Sequence, residues 1–274
     1  MYKIYSTGQE FLDENINIIR SDPLGTTFFE VNANMIPQCD DNNYALRVEN
    51  GGELLLAIHV GNYPLVLYGS EICVDELATT IAENKLQFGK VIGYRDLLIA
   101  FLTSYERLVG GSHKVHLSMD IMYCDKANPC DTSCVQQATA KDIEEIAQLI
   151  VDFTFEALNE KPEFSQVCEN VSQRIGSYAL LRVDGEIVSV ASGYDEYNGL
   201  CRLANVYTKP KYRNKGYSRK VVTYLTEKTI HGGKIPYLHV DQHNPVSNHL
   251  YTVIGYVYGK SRYEIIYTPA HIEE

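Results

Sequence analysis

The stretch Arg213-Asn214-Lys215-Gly216-Tyr217-Ser218 has the residue types of a loop that cradles phosphate. Glycine has no Cβ to hold an anion away from the backbone. A helix that starts here presents unpaired N–H groups and the positive end of its dipole to the same anion. Lys209, Lys211, Arg213, Lys215, Arg219 and Lys220 crowd the same short segment. The pattern alone also suits a solvated charged surface, since a lone Arg-x-x-Gly-x-Ser is common. The flanking elements favour the phosphate reading. A short apolar strand, Leu203 to Thr208, leads into the loop, and a helix with Tyr217, Val221, Tyr224 and Leu225 on one stripe leaves it.

The chain has 274 residues, the length of two ordinary domains, and its 45% hydrophobic content is enough for two cores. No run of 18 apolar residues predicts a membrane span, and the first ten residues lack the basic and apolar regions of a signal peptide. The seven cysteines are scattered, with no C-x2-C pair, so free thiols in a reducing cytoplasm are expected and a metal site is not. The net charge is −11. Residues 1–135 hold 9 Lys+Arg against 18 Asp+Glu, and the remainder 15 against 17, so the acidity lies in the first half. This balance argues against a nucleic-acid partner and favours a cationic acceptor, or plain solubility.

The second half divides cleanly. Thr139-Ala140-Lys141-Asp142 is a capping box with Asp in the Glu position, ahead of a helix with Ile143, Ile146, Ala147, Ile150 and Val151 on one face. A second helix is expected from Glu163 to Ile175. Strands Tyr178–Val183 and Glu186–Ser192 meet at Asp184-Gly185, a hairpin signal. A strand from Cys201 to Thr208, the loop and its helix follow, the helix ending at Gly232-Gly233. Ile235–Asp241 reads as a strand. Asn244-Pro245 reads as an N-cap with proline at the first helical position, the helix stopping near Gly255. Tyr256–Tyr258 and Tyr263–Tyr267 are expected to close as a hairpin.

The first half echoes this order. Tyr44-Ala45-Leu46-Arg47-Val48 before a glycine turn matches Tyr178 to Val183 before Asp184-Gly185. Strands follow at Leu54–Val60 and Leu65–Tyr68, helices at Val74–Asn84 and Tyr94–Leu108, and a strand at Val115–Tyr123. Where the second half has its basic loop, the first has Gly69 to Glu76, which is acidic and would repel phosphate. The chain is therefore expected to hold two copies of one α/β architecture, each a mixed, mostly antiparallel sheet with helices on both faces. Residues 1–130 form one domain and 131–274 the other, with a linker in Asp125–Gln137.

Two separated signatures stand in order in the second half. One is Val206-Tyr207-Thr208-x-Pro210-x-Tyr212-Arg213-x-x-Gly216-x-Ser218. The other is Asn244-x-x-Ser247-x-x-Leu250-Tyr251-x-x-x-Gly255-Tyr256. Together they resemble the GNAT acetyltransferase superfamily over residues 137–268, and the first half resembles a degenerate GNAT-like domain without the cofactor loop. The resemblance implies acetyl-CoA as cosubstrate and an amine, a small molecule or a peptide, as acceptor. It implies that backbone groups of Val206, Tyr207 and Thr208 bind the pantetheine arm like an added strand. In the family a bulge splays this strand from the next. N–H groups of Arg213, Asn214, Lys215, Gly216, Tyr217 and Ser218 would hold the pyrophosphate. Asn244, Ser247 and Asn248 would line the far wall of the slot. Ser218 departs from the usual Gly or Ala, but is still small.

The same resemblance sets Tyr251 near the thioester sulfur. A thiol has an ordinary pKa of about 8.5 and a tyrosine about 10, so Tyr251 can protonate or hydrogen-bond the leaving thiolate. A backbone N–H near Tyr207 would polarise the carbonyl oxygen. Tyr251 also suits a plain core role, since 21 tyrosines and no tryptophan do the aromatic packing. Candidates for the general base are Glu156, Glu160, Glu163, Asp195, Glu196, His239 and Asp241, or a water relay. The leading reading is an acyl-CoA-dependent N-acetyltransferase, soluble and cytoplasmic. The alternative is a non-catalytic acetyl-CoA-binding sensor. Aminoacyl transfer from tRNA, a third reading, sits poorly with the acidic charge.

Overall fold

The structure is a computed structural model and describes residues 1–270. It separates into two compact units. The first comprises Met1–Ile121, Asp241–His243 and the chain from Gly259 onward, and the second Met122–Val240 with Asn244–Tyr258.

The first unit opens with β1 (Tyr2–Ile4), α1 (Gly8–Ser21) and α2 (Phe29–Asn34), followed by a meander of β2 (Asn43–Asn50), β3 (Glu53–Val60) and β4 (Leu65–Gly69). Then come α3 (Val74–Glu83), β5 (Lys90–Gly93), α4 (Arg95–Val109) and β6 (Ser112–Tyr123). The second unit repeats the plan with β7 (Val135–Gln137), α5 (Ile143–Leu158), α6 (Phe164–Gln173), β8 (Tyr178–Val183), β9 (Glu186–Asp195), β10 (Leu200–Thr208), α7 (Tyr217–His231), β11 (Ile235–Asp241) and α8 (Pro245–Ile254). The last strand, β12 (Val257–Thr268), belongs almost wholly to the first unit.

The two copies match in pairing. In each, the first four strands run antiparallel in sequence order, β1 to β4 and β7 to β10. A helix then crosses over to a parallel fifth strand, α3 between β4 and β5 and α7 between β10 and β11. The expected mixed, mostly antiparallel pairing is met in each copy, within one 12-stranded sheet. Side-chain alternation explains the layers. Along β8, Ala179 and Leu181 join the core under α7 and α8, with Val221, Val222, Leu225 and Ile254, while Tyr178 and Leu180 join that under α5 and α6, with Ile146, Leu149 and Val167. In the first unit, Tyr44, Leu46 and Val48 pack toward α3 and α4 and Ala45 toward α1 and α2. The Asp184-Gly185 turn has both φ values positive, 51° and 85°, the twist that joins β8 to β9 tightly.

Two expectations change. The final hairpin is instead one strand of 12 residues. It pairs antiparallel with β5 through Tyr263↔Gly93 to Ile266↔Lys90 and buries Ile265 and Tyr267 in the first unit's core. A break after residue 130 is therefore replaced by a division at Ile121/Met122, with the chain from Gly259 returned to the first unit. The last four residues of the expected second domain, 271–274, lie outside the described residues. The interval expected as linker contains β7, and Asn128 in it donates from its backbone to the Ile254 carbonyl at 2.7 Å.

At the carboxyl ends of β4 and β5, the first unit is filled by its own side chains. Tyr68 donates to Asp22 at 3.2 Å, Lys260 pairs with the same carboxylate, and the rings of Tyr68 and Tyr94 lie 6.3 Å apart. Asp75 and Glu76 occupy the first turn of α3, where phosphate would be repelled. No helix among the described residues is long and apolar enough to cross a membrane.

Because Ile265 is 0% exposed within the first core, Ile265→Ala should cost about 2–5 kcal/mol of stability. Hydrogen exchange should quicken first in α3 and α4 and leave α7 protected; preferential loosening of α7 would contradict the assignment of β12.

Candidate functional site: a splayed strand pair and an uncapped helix

The site begins where β10 leaves its parallel partner. The ladder with β11 runs only from Leu200↔Ile235 to Arg202↔Tyr237, although β10 continues to Thr208 and β11 past Leu238. On its other edge β10 stays paired with β9, but between Ala204↔Ser192 and Tyr207↔Val190 two residues, Asn205 and Val206, face Ala191 alone. This is a bulge, and bulges increase twist and bend the strand. Asn205 takes a φ of 55°, a left-handed conformation that asparagine tolerates better than most residues. Asn205 escaped the sequence reading; its signal was a lone amide in the apolar run Leu203-Ala204-Asn205-Val206.

Beyond the bulge, alternate side chains go to opposite faces. Val206 packs with the α7–α8 core, and Tyr207, 7% exposed, with the α5–α6 core. The Thr208 hydroxyl pairs with that of Ser189 at 2.8 Å. A helical turn at Pro210–Tyr212 then leads into the loop. Asn214 and Gly216 have φ of 61° and 77°, and Gly216 ends the loop as the residue before α7. No side chain caps α7, and residues 213–216 are exposed. A Cβ built on Gly216 would meet nothing within 4 Å, so the space outside the loop is open. An uncapped helix start leaves backbone donors without intrahelical partners.

The basic residues around this loop are less free than their number suggested. Lys209 and Lys211 both reach Glu186, at 2.9 and 3.0 Å, and Lys220 reaches Asp131 at 3.3 Å. Arg213 turns back, donating from Nε to the Thr208 carbonyl at 2.9 Å and pairing with Glu156 at 2.7 Å. Its guanidinium lies 5.5 Å from the centre of the Tyr207 ring, and Tyr207 donates to Glu156 at 3.5 Å. Lys215 has no carboxylate partner among the described residues and lies 5.4 Å from the centre of the Tyr212 ring. An anion arriving here meets backbone amides first, with Lys215 beside them.

On the other wall, Asn244 is the N-cap of α8, its side chain accepting from the Ser247 N–H at 3.1 Å. Asn248 donates to the Asn244 carbonyl at 2.8 Å, and Ser247 and Asn248 are half-buried. Tyr251 is 7% exposed and shares one core with Val206 and Tyr217. Its ring meets that of Tyr256 edge-on at 5.9 Å. Burial pushes its phenol well above the ordinary tyrosine value, and its hydroxyl has no hydrogen-bond partner among the described residues.

The candidate bases are dispersed. The hydrogen bond from Arg213 holds Glu156 below the usual carboxylate range. Asp195 pairs with Lys234 at 2.6 Å. Glu196 accepts from Tyr237 at 2.5 Å and forms an ion pair with Arg202 at 3.3 Å. His239 sets its ring edge-on to Tyr237 at 5.7 Å. Asp241 counts with the first unit and meets His243 at 3.2 Å. Glu160 and Glu163 are exposed.

Glu186 gives the loop a pH signature. Hydrogen bonds from Lys209, Tyr212 and Lys211 lower its pKa from 4.5 to about 2. Its folded value is depressed, so its contribution to stability is fully present above 4.5 and fades as pH falls toward 2. Carboxylate titration by NMR should find Glu186 still ionised at pH 3, whereas in Lys209→Met its midpoint should move back toward 4.5. An unmoved midpoint would contradict the pairing.

Residues 143–256 match the family model described as the acetyltransferase (GNAT) family. No curated protein matches the sequence. Among solved structures, a GCN5-related N-acetyltransferase from Sphaerobacter thermophilus is similar at 14% identity and a TM-score of 0.64, covering 100% of this chain and 98% of that one. An acetyltransferase of the GNAT family from Colwellia psychrerythraea is similar at 13% identity and a TM-score of 0.62, covering 97% of this chain and 99% of that one. A GCN5-related N-acetyltransferase from Kribbella flavida covers 82% of this chain and 90% of its own at 15% identity and a TM-score of 0.51. At such identities the likeness speaks to the fold alone. Residues 143–256 thus match the GNAT acetyltransferase family model, in a chain whose whole length has the fold of those GNAT structures.

Proposed function

We propose that the protein is an acyl-CoA-dependent N-acetyltransferase whose second unit carries the chemistry. The observation behind this reading is the meeting of a splayed β10 with an exposed, uncapped helix start. An extended pantetheine arm needs unpaired strand edge, and Val206–Thr208 offers it toward β11. A diphosphate needs several N–H groups around a concave turn, which the left-handed residues Asn214 and Gly216 help to form ahead of Tyr217 and Ser218. Asn244 and Ser247 stand at the start of α8 as polar contacts on the other wall.

Acetyl-CoA would supply an activated thioester, and an amine attacking its carbonyl would release the thiol. Tyr251 meets the needs of a donor to that sulfur. Its phenol is buried and kept neutral, and its hydroxyl is not committed elsewhere among the described residues. A raised pKa makes it a weaker acid, so it acts chiefly by hydrogen-bonding the thiolate as charge develops, with proton transfer late. It also removes tyrosine ionisation as a source of rate loss below about pH 10. The acceptor is an amine; the net charge of −11 favours a cationic one.

The test is release of free thiol from acetyl-CoA with a panel of amines, alongside acetyl-CoA affinity. Tyr251→Phe should lower kcat by about 10–100-fold while affinity changes little. Gly216→Glu, which sets a carboxylate in the open space before α7, should abolish acetyl-CoA binding. Normal binding by Gly216→Glu would refute the loop assignment. Tight binding without turnover across the panel would favour a sensor over an enzyme.

A further inference from the structure

The bulge carries a side chain that the transfer chemistry does not use. The Asn205 amide donates to the Tyr194 hydroxyl at 2.7 Å, the Ser192 hydroxyl at 3.1 Å and the Tyr178 hydroxyl at 3.3 Å. The Ser192 hydroxyl donates to the carbonyl of Ala204, the residue before the bulge, at 3.1 Å. Tyr178 and Tyr194 share a further hydrogen bond at 3.0 Å. Ser192 is 0% and Tyr178 3% exposed. The Tyr194 ring is itself held, with the guanidinium carbons of Arg174 and Arg202 at 5.2 and 5.9 Å from its centre.

All three oxygens come from β8 and β9, on the paired side of β10. They converge on the one residue of β10 with a left-handed φ. An amide group has only two N–H hydrogens, so the three acceptors share them. The buried oxygens would be left under-satisfied if the strand took a regular course and carried Asn205 away, and burying polar groups without partners is costly. The cluster therefore favours the bulged course over a straight one.

We propose that Asn205, held by Tyr178, Ser192 and Tyr194, is a positioning residue for the acyl-CoA slot, its amide keeping β10 bulged and so setting how far β10 splays from β11. The inference rests on the transferase reading for what enters the slot. The cluster acts on the pantetheine wall, whereas the diphosphate loop lies further along the chain, beyond Pro210–Tyr212. A purely stabilising cluster would affect both alike.

The experiment compares adenosine diphosphate, which reaches only the loop, with acetyl-CoA, which needs loop and slot. Affinities are measured by calorimetry on the full chain for wild type, Asn205→Gly and Tyr194→Phe. Glycine keeps the left-handed conformation accessible and removes only the amide. Asn205→Gly should weaken acetyl-CoA by about tenfold while adenosine diphosphate stays within about twofold. Tyr194→Phe, which removes one hydroxyl, should weaken acetyl-CoA by about threefold with adenosine diphosphate again unmoved. If Asn205→Gly does not fold, Tyr194→Phe decides by the same contrast. Equal losses for both ligands, or none for acetyl-CoA, overturn the positioning role. A wild-type protein that binds neither ligand overturns the transferase reading and this inference with it.

Discussion

The parting of β10 from β11 after Arg202 and Tyr237 is the constraint on which the candidate site depends. A parallel pair that stayed zipped to its end would bury its hydrogen-bonding edges in each other. Here the ladder stops early, while β9 continues to hold β10 from the other side across a bulge. That asymmetry leaves Val206–Thr208 without a ladder to β11 and delivers the chain at once into the loop before α7. Strand edge and helix start are consecutive in sequence, so one local distortion positions both. The first unit has the same strand order without the bulge, β3 holding β4 in unbroken register from Leu55↔Gly69 to Ile58↔Val66. Tyr68, Tyr94, Asp22 and Lys260 pack where its slot would be, and the first turn of α3 carries carboxylates.

Electrostatics fit an anion site that relies on main chain. Glu186, Glu156 and Asp131 pair with Lys209, Lys211, Arg213 and Lys220, so three carboxylates offset part of the basic cluster within the second unit. Exposed beside these pairs are a glycine, an uncapped helix start and Lys215, which has no carboxylate partner among the described residues. Backbone donors held in fixed directions cost little reorganisation when charge arrives, whereas flexible lysine side chains lose rotamer freedom on binding. The same pairing reconciles a phosphate-binding loop with a chain of net charge −11.

Much of this was legible in residues whose signals are local. The Asp184-Gly185 turn, the Thr139/Asp142 capping box and the Asn244 N-cap with Pro245 all form as read. Other features were hidden because their causes are not local. The stripe of α1 is interrupted by Asn15, which is buried yet satisfied by Tyr5 at 2.9 Å and by Arg47 at 2.9 Å, partners no helical periodicity reveals. Strand β5 has four residues, too few for an alternation signal. The chain between Tyr258 and Tyr263 was expected to turn, but it runs on as one strand whose later part pairs with β5. The carboxylate partners of Lys209 and Arg213 come from β9 and α5, so the sequence displayed the cations without their counter-charges.

The most direct test of coenzyme A binding at this site is backbone hydrogen exchange of the intact protein with and without coenzyme A. The account predicts slowed exchange at Asn214 to Arg219 and at Val206 to Thr208, with the amides of α3 unchanged. Tight binding that left those amides unprotected, or that protected the first unit instead, would contradict it.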